Sequence, residues 1–205
     1  MDADRKKHNA DERNETMRVI AGSARSIPLK TPEGEGTRPT QDRIKETLFN
    51  MIQTFVPGAI FLDLFAGGGG IGIEALSRGA KRAYFVENAS APYRCLQENL
   101  HKTHLEEQAV LLKQDILSAL HGIHEKKVDL IYLDPPYDTD LYERTLPVLS
   151  QMPYLTEDSL VIAESTLEKD FSFVTELGYL IQREKCYKHN KHVFLKFIGK
   201  EKGQE

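Results

Sequence analysis

The chain has 205 residues, 40% hydrophobic and 28% charged, with a formal net charge of −4. This is the composition of an ordinary globular protein with one substantial core, so one domain is the default. No global positive field advertises nucleic acid, and neither a run of about eighteen apolar residues nor an apolar signal core is present, so the expected location is the cytoplasm.

Residues 1–16 are almost wholly polar, with charges of both signs. They read as a disordered tail, or as an extension ahead of a start at Met17. Residues 17–37 read as a basic arm. Met17-Arg-Val-Ile-Ala-Gly22 and the stretch 23–30 are two short segments of a small β-hairpin, carrying Arg18, Arg25 and Lys30, and a loop rich in Gly and Pro follows. Thr40 is a helix N-cap candidate with Asp42 in the first turn, and Ile44, Leu48, Met51 and Ile52 recur at helical spacing before Pro57-Gly58.

From residue 59 the pattern alternates. Strands are expected at 60–64, 82–86, 109–112, 128–133 and 159–163, and helices at 71–78 and 91–102. Strands separated by helical patterns predict an α/β fold, a mostly parallel central sheet with helices on both faces. Residues 179–187 and 192–197 flank the polar turn His189-Asn190-Lys191, which predicts a terminal antiparallel hairpin. The main domain then runs over 38–200, and 201–205 is a tail.

Gly67, Gly69 and Gly72 satisfy G-x-G-x-x-G between a strand and a helix. Such glycines let the backbone approach a nucleotide-type cofactor with no Cβ in the way. Glu87 ends the next strand, where a carboxylate that accepts from ribose hydroxyls belongs. Both nicotinamide and adenosylmethionine cofactors present that ribose. Asp63 discriminates between them: an anion before the loop is awkward beside a pyrophosphate and suits the ammonium of a methionine moiety. Its alternative role is to cap the loop. Asp115 is placed to accept from an adenine amino group, with the adjacent apolar Ile116 on the ring, or simply to cap the following helix.

Asp134-Pro-Pro-Tyr137 follows the strand at 128–133, where open α/β sheets bind ligands. Pro135 and Pro136 fix φ and remove two backbone donors, which leaves rigid carbonyl acceptors. An exocyclic amino group on a base is a poor nucleophile because its lone pair is delocalised into the ring. With one N–H held by Asp134 and the other by the Pro135 carbonyl, the lone pair faces a methyl donor. Tyr137 stacks on the base and fixes its plane. Asp134 then stabilises the positive charge that grows on nitrogen, and alignment supplies much of the rest. The alternative is a Pro-Pro turn in which Tyr137 merely packs.

Met17-Arg-Val-Ile-Ala-Gly, Arg38-Pro-Thr-Gln-Asp-Arg43, Glu46-Thr-Leu-Phe-Asn50, Leu62-Asp-Leu-Phe-Ala-Gly67, Gly72-Ile-Glu-Ala-Leu-Ser-Arg-Gly-Ala80 and Leu133-Asp-Pro-Pro-Tyr137 together resemble the RsmD family. Its members are class I methyltransferases that use adenosylmethionine to modify guanine N2 in bacterial 16S rRNA. The resemblance runs from Met17 to about Phe197 and implies a Rossmann-like fold with S-adenosyl-L-methionine as cofactor. By position it implies that Asp63, Phe65, Ala66, Gly67, Gly69, Glu87, Asn88, Asp115 and Ile116 hold the cofactor, with Arg38 and Thr40 by the site mouth. Asp134, Pro135, Pro136 and Tyr137 would hold the target guanine. Arg18, Arg25 and Lys30 of the arm, with Arg43, would touch 16S rRNA or a small-subunit assembly intermediate. A monomer without metal or membrane contact is expected. The chain departs from the family in its Gly-Gly-Gly-Gly loop, where Gly-Ser-Gly-Ala is frequent, and in Tyr187-Lys188, where Tyr-Gly is frequent.

A second basic cluster, Lys185, Lys188, Lys191, Lys196 and Lys200, follows the cofactor segment, and the two basic ends are expected to converge as a phosphate-binding rim. Three H-x-x-H pairs (His101/His104, His121/His124, His189/His192) lack the Cys or carboxylate cluster that completes a zinc set. Cys95 and Cys186 fit no metal or redox spacing. Three rival readings stay open. One is methyl transfer to adenine N6 in DNA or RNA, or to a protein amide. Another is an NAD-dependent oxidoreductase, which leaves the tetrad unexplained. The last is a non-catalytic RNA-binding module, against which the intact tetrad argues.

Overall fold

The short apolar runs become strands β1 (Ile60–Asp63), β2 (Arg82–Val86), β3 (Ala109–Leu112), β4 (Leu130–Leu133), β5 (Leu160–Thr166), β6 (Tyr179–Cys186) and β7 (Asn190–Phe197). The computed structural model describes residues 17–32, 42–137 and 139–199. The strands form one sheet in the order β3-β2-β1-β4-β5-β7-β6. The first five are parallel neighbours, while β7 lies antiparallel between β5 and β6. Every residue of β1 and β4 is buried, which is why both read as continuous apolar runs rather than alternating ones.

Helices α1 (Asp42–Met51), α2 (Gly70–Ser77) and α3 (Ser90–Thr103) cover one face. Leu48, Ile73 and Leu96 pack there with Phe61 and Phe85. Helices α4 (Ile116–His121) and α5 (Leu141–Leu149) cover the other, where Ala119 and Leu146 meet Leu62, Ile131 and Val161. The sequence reading leaves 141–149 unassigned. Pro147 lies inside that helix, but Tyr142, Leu146 and Leu149 still present one buried face. Among the described residues no helix is long and apolar enough to cross a membrane.

From β1 the chain winds outward to β2 and β3, then returns to β4 on the other side of β1. A crevice opens beyond the carboxyl ends of strands at such a reversal. The glycine turn after β1 and the tetrad after β4 therefore meet there. Strand β5 runs three residues past the expected end at 163, because Glu164, Ser165 and Thr166 pair with His192, Lys191 and Asn190 of β7. The extension brings Glu164 up beside the tetrad.

The N-terminal segment is hairpin-like. Arg18 and Pro28 form an antiparallel bridge, and Leu29 N donates to Met17 O at 2.7 Å. It is also part of the body, since Met17, Val19, Ala24 and Leu29 belong to the core. Glu74 of α2, wholly buried, accepts from Ile20 N at 2.7 Å and Ala21 N at 3.0 Å. It also pairs with Arg78 at 2.6 Å and with buried Lys45 at 3.7 Å. Removing Glu74 would strand the Lys45 charge, which desolvation already disfavours. Glu74→Ala is expected to lose about 3–5 kcal/mol in denaturant unfolding, and hydrogen exchange should show the Ile20 and Ala21 amides deprotected.

Candidate active site

The loop after β1 is held by its own Gly69 N to Ala66 O bond at 2.7 Å and by its neighbours. Ala66 N donates to Val86 O at 2.9 Å. Glu87, at the end of β2, receives Gly67 N on Oε2 at 3.0 Å and Ala89 N on Oε1 at 2.7 Å. Burial raises its carboxyl above the ordinary range, against those backbone bonds. Gly67 has φ +53 and open space where its Cβ would point, so a ligand can approach its backbone. Gly69 and Gly72 are needed for packing instead, because a Cβ would lie 2.4 Å from Leu96 Cδ1 and 2.3 Å from Phe85 Cε1 respectively.

Asp63 is 2% exposed and accepts from Gly72 N at 3.0 Å. Burial pushes its carboxyl up to about 7, opposed by the Gly72 bond and reinforced by the charge of Glu87. Asp115 is the N-cap of α4 and receives Ser118 N on Oδ1 at 3.0 Å, so the capping role expected as an alternative is filled. Bonds from Ser118 hold it below the usual carboxylate range. One cleft of about 1240 Å³ is lined by Asp63, Phe65, Ala66 and Gly67 from the first loop and by Glu87, Asn88, Asp115 and Ile116 from the next two. Arg38 and Thr40 lie outside the described residues.

The same cleft is also lined by Asp134, Pro135, Pro136 and Tyr137. Strands β1 and β4 are adjacent, with Asp63 in register with Tyr132. Tyr137 is 44% exposed at the mouth, and the Pro136 carbonyl accepts from Thr139 Oγ1 at 2.8 Å. Asp134 has its carboxyl raised well above the usual range by burial, then by the charges of Glu164 and Asp63. Glu164 behaves oppositely. Burial disfavours its charge, but bonds from His192, Tyr132 and Asn190 outweigh that and hold it low. Sequence reading misses Glu164 altogether. The one signal, an acidic residue inside an apolar strand, gains meaning only once β7 is paired beside it.

A family model described as Conserved hypothetical protein 95 matches residues 17–196. A Haemophilus influenzae protein named ribosomal RNA small subunit methyltransferase D is 36% identical over 82% of this chain and 88% of its own. The protein of that name from Escherichia coli K12 is 33% identical, over 82% of this chain and 84% of its own. The chain belongs to the RsmD family. A solved Escherichia coli structure described as a candidate methyltransferase, yhhF, superposes with a TM-score of 0.74 at 30% identity, covering 89% of this chain and 98% of that one. The class I methyltransferase fold expected from the sequence is therefore present.

On this RsmD-family framework the basic residues separate into two groups. Arg18 is paired with Asp42 at 3.0 Å, and Lys30 with Glu98. Arg25 is exposed, and none of these three lines the cleft, whereas Arg43 does. Lys185, Lys188 and His189 of the terminal hairpin also line it, joined by Arg144 of α5, which the sequence reading omits. Lys191, expected on the rim, is buried and pairs with Glu184 at 3.2 Å. It faces inward because it follows Asn190 into the β5–β7 pairing. Among the described residues no group of three or more His, Cys, Asp or Glu is placed to hold a metal ion.

Proposed function

We propose that this chain transfers a methyl group from S-adenosyl-L-methionine to the exocyclic N2 of a guanine in 16S rRNA, within the rRNA or a small-subunit assembly intermediate. The observation that carries the reading is one cleft lined both by Asp63 and Glu87 and by Asp134-Pro-Pro-Tyr137. Relatives named as small-subunit rRNA methyltransferases supply the substrate class. The same reading places the enzyme in the cytoplasm, with the N-terminal segment packed into the catalytic domain.

The residues present fit the cofactor. Open space beside Gly67 admits it, Asp63 complements its ammonium, and Glu87 keeps second lone pairs on both oxygens for ribose hydroxyls. Asp115 and Ile116 would flank the adenine. When bound, S-adenosyl-L-methionine supplies a methyl group on a positively charged sulfur. Asp134 and the Pro135 carbonyl accept the two N–H bonds of the target amine, and Tyr137 stacks on its ring. The base must leave its stack to reach them. An oxidoreductase reading would set the Asp63 carboxylate beside a pyrophosphate and leave the tetrad without a task.

Small subunits from cells lacking the enzyme, incubated with labelled cofactor, should yield N2-methylguanosine in 16S rRNA. N6-methyladenosine, or no transfer to RNA at all, overturns the assignment. The proposed RNA contacts are Arg18, Arg25, Lys30 and Arg43, with Lys185 and Lys188 at the cleft mouth. Reversing both Lys185 and Lys188 to Glu is expected to weaken binding and reduce its salt slope by about two, measured by filter binding across salt concentrations. Reversal at Arg18, already paired with Asp42, should change the slope less.

A further inference from the structure

Strand β5 sets a second carboxylate against the tetrad. Leu133 and Ala163 are register partners, so Asp134 and Glu164 are the next residues along two adjacent parallel strands. Glu164 is 4% exposed, and both its oxygens are occupied. Oε2 accepts from the Tyr132 hydroxyl and lies 3.0 Å from His192 Nε2, while Oε1 accepts from Asn190 Nδ2. An ionised carboxylate offers acceptors only, so Nε2 presents its hydrogen to Glu164, and Nδ1 is left to the Tyr187 hydroxyl at 3.0 Å. Three donors converging on one buried carboxylate favour its charged form.

The proposed reaction needs a proton acceptor. The methyl–sulfur bond breaks with its electron pair staying on sulfur, and the nitrogen lone pair forms the new N–C bond. The nitrogen, now positively charged, must release one N–H proton. Asp134 is the carboxylate proposed to contact that nitrogen, and the open side of the cleft returns the proton from it to solvent.

We propose that Glu164 is a positioning residue, whose charge, fixed by Tyr132, His192 and Asn190, keeps the neighbouring Asp134 carboxylate basic enough to take the proton released by the methylated nitrogen. The inference rests on the role of Asp134 proposed above. The ionisable groups that interact with Asp134 are Asp63 of β1, Tyr132 of β4, Glu164 of β5 and Tyr142 of α5, and Tyr137 of its own turn interacts with Tyr142. His192 and Tyr187 stand behind Glu164. After burial, the Glu164 charge acts on Asp134 more strongly than that of Asp63.

Carboxyl-labelled aspartate NMR on the full chain follows Asp134 without any substrate, with Asp134→Asn to assign its signal. Glu164→Gln keeps the size and polarity of the side chain and removes the charge, so Asp134 should titrate lower by about one unit. In single-turnover methyl transfer to unmethylated small subunits, the acid limb of the rate profile should move down equally, and the plateau should fall about tenfold because the base is weaker. An Asp134 titration that does not move, or a rate lowered equally at every pH, overturns the proposal. Should Glu164→Gln not fold, Tyr132→Phe removes one donor from Glu164 and should lower the Asp134 titration by less; no change there overturns it too. A wild-type chain that shows the Asp134 titration yet transfers no methyl group to RNA overturns the proposed function itself, while the NMR result still reports on the pair.

Discussion

Asp134→Ala is expected to bind adenosylmethionine within about threefold of the wild type while methyl transfer falls by about 10²–10³-fold, ~3–4 kcal/mol of transition-state stabilisation. The split follows from where the residue sits. Asp134 comes from the turn after β4, whereas Gly67 and Glu87 come from the segments after β1 and β2, so its loss leaves those proposed cofactor contacts in place. Its interaction with the amine strengthens as nitrogen becomes positive, which lowers kcat more than it raises KM. Burial and two like charges raise its carboxyl well above the usual range. A group with a folded pKa above its unfolded one contributes stability at low pH, and that contribution is lost as pH rises through the folded value. At pH 8 the alanine variant should therefore be no less stable than the wild type by more than about 1 kcal/mol. Calorimetry, denaturant unfolding and single-turnover rates test the three parts together. A variant with full transfer rate would remove Asp134 from the chemistry, and one that no longer bound cofactor would make it a cofactor contact.

Most of the sheet was legible because its central strands are buried on both faces and stand out as short unbroken apolar runs between glycines. Ala109–Leu112 and Arg82–Val86 have the bounds expected from the sequence, and the order of glycine turn and tetrad followed from that alternation. What the sequence hid was anything settled by pairing distant in the chain. Glu164 acquires its role from Asn190 and His192, which reach it only when β7 inserts between β5 and β6. Lys191 reads as one more surface charge in a polar turn, and the same pairing buries it. The N-terminal segment carries basic residues and a glycine break, the marks of an arm. Its alternate apolar residues instead lie in the core, because Glu74 and Asn99, on two later helices, satisfy the backbone of Ile20, Ala21 and Lys30. The G-x-G-x-x-G pattern was recognised correctly as a pattern, but two of its three glycines answer to Leu96 and Phe85 rather than to a ligand. Spacing alone does not separate close approach to a cofactor from close approach to a neighbouring side chain.

Asp63→Asn is expected to stabilise the ligand-free protein and to cost it the cofactor. The Asp63 carboxyl is pushed up to about 7 from 3.8, chiefly by burial. Its stability contribution is therefore greatest below the unfolded value and is lost as pH rises through about 7. At pH 8 the folded protein holds a buried charge that accepts from the Gly72 N–H. An asparagine keeps that bond through its oxygen and carries no charge, so the variant should be more stable at pH 8 by about 4 kcal/mol, with the difference vanishing toward pH 4. Binding should show the opposite. The ammonium of the methionine moiety calls for the carboxylate, so below pH 7 a proton must leave before the cofactor settles, and wild-type affinity should fall by about tenfold per pH unit. Glu87, Asp134 and Tyr132 also face this region, so a second probe isolates Asp63: a cofactor analogue lacking the α-amino group should bind without that slope. Titration calorimetry between pH 5.5 and 8 compares the two proteins with both ligands. Equal affinity of Asp63→Asn and wild type at pH 8 would return Asp63 to loop capping, whereas a more stable variant that binds poorly would mean that the buried charge is kept for the ligand against the interest of the fold.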